Sequence, residues 1–154
     1  MALGDITFFH QFKVDLGNKI HDMDGDTFKA GFITSVVTPT ASDAAPHFGG
    51  TGTTNYATNQ VSAGGNYATG GPSLTSVAFS NSGGTVSWQA QKISIAQDAS
   101  NPTNARWIVI YNNTDANKRA VAFLDLGSAR DLSAGLFEFK FNSVDGVGTI
   151  GTLA

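Results

Sequence analysis

The sequence predicts an all-β fold, a β-sandwich or jelly-roll-like barrel of about seven or eight strands, with room for a short N-terminal helix. Three observations carry this. Apolar residues recur at period two: Phe137, Phe139 and Phe141 alternate with Glu138 and Lys140, and Val86, Trp88 and Ala90 alternate with Ser87, Gln89 and Gln91. The run 106–111 is continuously apolar after its arginine, as in a central strand covered on both faces. Glycine, proline and Asn/Asp clusters punctuate the chain between these segments.

Taken in order, Phe9, Phe12, Leu16 and Ile20 fall at helical spacing, which predicts an amphipathic helix over about 8–21. Gly17 weakens it, and an extended segment is the alternative. From Thr27 the period becomes two, with Phe28, Ala30 and Phe32 on one face of a strand running into Ser35–Val37 before Pro39. A strand follows with the Val86, Trp88, Ala90 alternation, and Ile93 and Ile95 continue the extended stretch. Asn112–Asn117 is turn chemistry, because Asn and Asp tolerate left-handed backbone and bond to their own main chain. It joins the 106–111 run to a returning strand at 120–126, giving the best-defined hairpin. A further strand is expected over 136–142 and a last short one at about 149–153.

The segment 38–73 is a long Gly/Thr/Tyr-rich loop or arm containing two copies of Asn-Tyr-Ala-Thr, at 55–58 and 66–69. Irregular stretches beyond about 12–15 residues are uncommon in compact domains. Tyr56 and Tyr67, with Phe48, are the candidate partner contacts, since such side chains offer large apolar area at little entropy cost. The alternative is that the tyrosines pack on the body from short edge strands.

The chain has 154 residues, the size of one domain spanning 1–154. A protein of this mass exposes about 7,400 Å² when folded, against about 23,000 Å² unfolded, enough burial for a core without staples. Cysteine is absent, in keeping with assembly in a reducing cytosol. The start lacks a basic region and a long apolar stretch, so no signal peptide is expected. No apolar run approaches the roughly 20 residues of a membrane span. Net charge is −3 and the basic residues are scattered, which argues against a nucleic-acid partner.

Hydrophobic residues make up 41% of the chain but charged residues only 14%, against about 25% in a typical domain. Thr, Ser, Asn and Gly must cover most of the surface. Such surfaces occur on extracellular and virion β proteins whose subunits face one another; a charge-poor monomer is the alternative.

No constellation predicts catalysis. Asp22, Asp24 and Asp26 bring three carboxylates into five residues, but an EF-hand loop starting at Asp22 needs Gly at its sixth position and Glu at its twelfth, where Thr27 and Ile33 stand. A solvated turn is expected instead. His10, His21 and His47 lack metal-ligand spacing, and no Gly-x-Ser-x-Gly elbow or cysteine nucleophile is present. Asp125 and Asp131 pair with no acid or base at a defined spacing. Gly50–Gly52 lacks the strand-to-helix context of a phosphate loop. Trp88 and Trp107 lie in apolar strands and are expected in the core, although a sugar-stacking platform would use the same residues. No catalytic, cofactor or metal residue is therefore assigned.

The stretches Ile20–Ala30, Gly64–Gly71, Trp107–Tyr111 and Ala122–Gly127, in that order, resemble a family of small structural proteins of tailed bacteriophages found as head decoration, or cement, proteins. The resemblance covers about residues 12–153; Thr38–Thr54 does not match. It implies a virion protein, made in the host cytoplasm, that binds the outer surface of the head. Its partners would be the major capsid protein and copies of itself, with a trimer favoured at local threefold positions. It transfers no catalytic residue and no cofactor. The rival expectation is a tail- or head-fibre module recognising host-surface glycan, motivated by the Gly/Tyr-rich arm and the two tryptophans.

Overall fold

A computed structural model of the chain describes residues 6–82, 84–141 and 147–153. Among them the fold is mainly β. The strands are β1 (Ile6–Phe8), β2 (Phe28–Ile33), β3 (Pro46–His47), β4 (Thr54–Asn55), β5 (Ala78–Ser82), β6 (Thr85–Gln91), β7 (Ile93–Ile95), β8 (Ala105–Asn112), β9 (Ala120–Arg130), β10 (Phe137–Phe139) and β11 (Val147–Leu153). One α-helix, α1 (His10–Gly17), follows β1, and a single 3-10 turn covers Tyr56–Asn59. The all-β expectation holds, with more strands than the sequence pattern resolves and with β9 running on to Arg130, past its expected end at 126.

The strands form four sheets, ordered β1-β9-β8-β2, β11-β6-β5, β10-β7 and β3-β4. The first three are antiparallel, whereas β3 and β4 run parallel. The four-stranded sheet is the centre of the fold, and the β8–β9 hairpin predicted from the apolar run and the Asn/Asp turn is its spine. Pleat alternation sorts its residues. Phe28, Ala30 and Phe32 share one face with Ile108, Ile110, Ala122 and Leu124. Lys29, Gly31 and Ile33 share the other with Trp107, Val109, Tyr111 and Phe123.

Both faces are covered, which is why β8 reads as a continuous apolar run. On the first face Phe28 meets Trp88 of β6 edge-on at 4.8 Å, and Phe32 meets Phe137 of β10 at 5.4 Å. On the second, Phe9 packs against Phe123 (4.9 Å) and Tyr56 (5.7 Å), and Phe48 stacks on Tyr111 at 4.7 Å. Trp88 and Trp107 are both buried, as expected of core residues. The exposed area, 7160 Å², is close to that expected from chain mass.

Three elements depart from expectation. Helix α1 ends at Gly17, because Lys19 takes a left-handed conformation (φ 59°) and the amide of Ile20 returns to the Asp15 carbonyl. Strand β2 ends at Ile33: the Thr34 hydroxyl accepts the Val36 amide and turns the chain, leaving Val36 exposed. Strand β10 stops at Phe139, with Phe141 buried beyond it against the Phe139 ring; Asn142, at the end of the expected 136–142 strand, lies outside the described residues.

Segment 38–73 takes the second of its two expected forms. Short strands and buried tyrosines make it a strap fitted to the body, lying along the outer edge of β2. The Thr34 amide donates to the Asn59 carbonyl, Val61 to Phe32, Ala30 to Pro72 and Leu74 to Phe28. The main chain of β2 is thus satisfied on both sides, and an edge open to chance pairing is closed. Gly71, at φ 77°, makes this approach possible, since a Cβ there would lie 1.8 Å from the Ala30 carbonyl oxygen.

Candidate functional site

The three expected partner contacts are corrected by their burial. Tyr56 is 0% exposed, Tyr67 1% and Phe48 5%, so none presents a surface to another molecule. Each fastens the strap. The Tyr56 ring packs on Phe9 of the body while its hydroxyl donates to Asp43 within the strap, the Tyr67 hydroxyl accepts the Phe32 amide at 2.9 Å, and Phe48 fills the space over Gly31. Burial and the Asp43 hydrogen bond raise the Tyr56 phenol well above its ordinary range, and burial does the same to Tyr67. Burial would lift the Asp43 carboxyl, but hydrogen bonds from Thr40 and Tyr56 outweigh it and hold the group below its usual range.

Asp22–Asp26 is a turn, as the sequence predicts, but its carboxylates are engaged by the protein as well as facing solvent: all three accept main-chain amides, and Asp26 also accepts the Asn112 side chain. Asp22 Oδ1 accepts the amides of Asp24 and Gly25, Asp26 Oδ2 accepts the Asp22 amide, and Asp24 Oδ1 accepts the Phe79 amide at the start of β5. Among the described residues no three His, Cys, Asp or Glu side chains converge as a metal would require. Elsewhere Asp125 pairs with Arg106, whose guanidinium lies 4.6 Å over the Trp107 ring, and Asp131 holds the Ser133 amide and hydroxyl. Gly50 lies against the Asn117 carbonyl, a packing contact rather than a phosphate cradle.

The principal concentration of buried ionisable groups was not predicted. It lies where α1 and the acidic turn meet the β8–β9 turn, and comprises Asp15, His21, Asp26, Asn112, Asp115 and Arg119. Asp15, His21 and Asn112 are all buried. Asn112 is the hub. Its Oδ1 accepts the amides of Thr114 (2.9 Å) and Asp115 (3.0 Å), the self-bonding turn chemistry expected of asparagine. Its Nδ2 faces Asp26 Oδ2 at 2.6 Å and His21 Nδ1 at 3.0 Å.

On the far side of the imidazole, His21 Nε2 points toward Asp15 Oδ2, 4.0 Å away, while Arg119 Nε lies 3.8 Å from the same oxygen. Arg119 also reaches Asp115 at 3.3 Å, and Gln11 donates to the other Asp15 oxygen at 2.9 Å. Neither His21 Nε2 nor Asp15 Oδ2 has a hydrogen-bond partner, and both are shielded from solvent. Burial lowers the His21 pKa below the ordinary imidazole value, against the opposing pull of Asp15, Asp115 and Asp26.

An aspartate beside a histidine has the outline of an acid–base relay. Here one imidazole nitrogen is occupied by Asn112 and the other is closed off, so no reacting atom reaches either. A cleft lined by Gln11, Asp15, Ala45, Pro46, Thr51 and Arg119 opens nearby without exposing that nitrogen. What the cluster can do chemically is gain or lose a proton. No signal local to the sequence marks it: His21 and Asn112 are 91 residues apart, and only the fold brings them together.

The fold and this cluster define an all-β domain with a buried polar clasp. No family model, curated protein or solved structure matches the chain.

Proposed function

We propose that the chain is a virion structural protein of a tailed phage, a decoration protein that binds the outer surface of the head and strengthens contacts between capsomers. The observation that carries this reading, beside the sequence resemblance, is the sheet β11-β6-β5. Its three strands contain no Asp, Glu, Lys, Arg or His; β5 and β11 form its edges, and since the Asp24 carboxylate holds the Phe79 amide of β5, β11 is the edge without charge. Proteins that remain solitary commonly blunt sheet edges with charge, so an uncharged sheet of this kind favours contact with neighbouring subunits. The action is physical: each bound copy adds buried area between subunits and selects the assembled lattice over free ones by mass action.

The glycan-binding alternative loses its motivating surface, because Trp88, Trp107, Tyr56 and Tyr67 are all buried. The deciding measurement is copy number, taken as this protein's band against the major capsid protein in purified virions. A ratio approaching that of the shell subunit supports decoration. A handful of copies per particle assigns it to a fibre or tail, and absence from virions overturns the reading.

A further inference from the structure

His21 is a basic side chain set among carboxylates yet held neutral by its surroundings. Around it stand Asp15 on α1, Asp22 and Asp26 on the acidic turn, and Asp115 and Arg119 on the β8–β9 turn. Lys19 and Asp24 line a surface cleft bordered also by His21 and Asp22, and the Phe12 ring covers the imidazole at 5.5 Å.

The hydrogen-bond pattern fixes the proton. Asn112 cannot reverse its amide, because Oδ1 already receives the amides of Thr114 and Asp115 and a reversed amide would set its oxygen against the Asp26 carboxylate. Both Nδ2 hydrogens are therefore committed, one to Asp26 and one to His21 Nδ1. It follows that Nδ1 is the acceptor and that neutral His21 carries its hydrogen on Nε2. A second proton has only Nδ1 to occupy, where it meets the Asn112 N–H donor to donor.

We propose that the Asp15–His21–Asn112 cluster is a proton-operated latch: neutral His21 holds α1 and the acidic turn on the β8–β9 hairpin, and protonated His21 releases them. Protonation abolishes the bond to Asn112, and the carboxylate oxygen that faces Nε2, on Asp15, lies 4.0 Å away, outside hydrogen-bond distance. In the opened segment the imidazole regains its ordinary affinity for a proton. The open form therefore binds the proton first, and opening becomes more favourable as pH falls below about 6.5. The β8–β9 core contains no such group and stays closed.

The test uses the intact chain and two NMR readouts. Ring nitrogen shifts at about pH 7.5 are expected to show His21 as the Nε2–H tautomer; the opposite tautomer overturns the latch. Amide exchange, corrected for its intrinsic pH dependence, is then compared at about pH 7.5 and about pH 5. The amides of Asn18, Ile20 and Asp26 are expected to lose protection about tenfold or more while Val109 and Phe123 keep theirs. His21→Asn, whose Oδ1 stands where Nδ1 stood and accepts from Asn112 without titrating, is expected to abolish that loss. His47→Gln, which removes the other buried histidine, is expected to leave it. Equal loss in wild type and His21→Asn, or none in wild type, overturns the proposal. If His21→Asn does not fold, the wild-type ring decides: its nitrogen shifts are expected to titrate in step with the loss of protection at Asn18, Ile20 and Asp26, and a loss that does not follow the His21 ring overturns the latch.

Discussion

The Phe48 ring occupies the space a side chain on Gly31 would need: a Cβ at Gly31 would lie 2.2 Å from Phe48 Cζ. Lodged there, the ring stacks on Tyr111 with an interplanar angle of 8°. A missing methyl on β2 is thus what lets the strap's aromatic residue reach the sheet.

Gly31→Ala is expected to destabilise the protein by about 1–3 kcal/mol, since the added carbon must displace a packed ring. Combining it with Phe48→Ala should cost less than the sum of the two single changes, because the second removes the first one's clash. Urea unfolding of the four-member cycle reads this directly; strict additivity would mean that the two residues do not compete for the space.

Tyr67→Phe keeps the ring but leaves the buried Phe32 amide without its acceptor. The expected loss is about 1–3 kcal/mol, accompanied by faster exchange of the Phe32 amide. Unchanged exchange at that amide would show that the hydroxyl is dispensable.

All three tyrosines are buried and titrate high: Tyr111 is pushed up to about 12 by burial, and Tyr56 and Tyr67 lie higher still. A phenol whose folded pKa exceeds its unfolded value lends stability below about pH 10 that drains away as pH rises beyond it, because the unfolded chain ionises first. Phenolate absorbance should therefore stay silent through pH 10 and then appear together with loss of structure. A smooth native titration centred near 10 would contradict the burial.

The Asp43 carboxyl titrates low, so its contribution has the opposite pH limb: present above the ordinary carboxyl range and lost as pH falls through the depressed value. Asp43→Asn should weaken the Tyr56 anchor at neutral pH and flatten the acid limb of the stability profile. The urea midpoint against pH, wild type beside variant, checks both.

Trp88 and Trp107 are 1% and 7% exposed. Their fluorescence should resist iodide in the folded state and yield to it on unfolding, and soluble glycans should leave it unchanged. Quenching by a glycan would restore the recognition role that their burial argues against.

What the sequence made legible was periodic or local. Phe28, Ala30 and Phe32 announce a strand face, and Asn112 announces a turn that it then builds with its own side chain. Hidden from it were relations between distant positions. Nothing near Phe48 signals that Gly31 will leave it a slot, so a glycine-framed aromatic reads equally well as a surface contact. Likewise His21 shows no pairing partner at short spacing, because its partners come from α1 and from a turn 91 residues away.

The strap holds β2 through the main chain of Asn59, Val61, Pro72 and Leu74. Main-chain atoms are common to every residue type, so most side chains along this segment are free to drift between related chains without loosening it. What must persist is its path: the left-handed glycines at 65, 70 and 71 and the rings at positions 48, 56 and 67. Descendants of this protein should therefore diverge fastest in the segment's spelling while keeping its course, and kinship there will be easier to recognise by superposing backbones than by aligning letters.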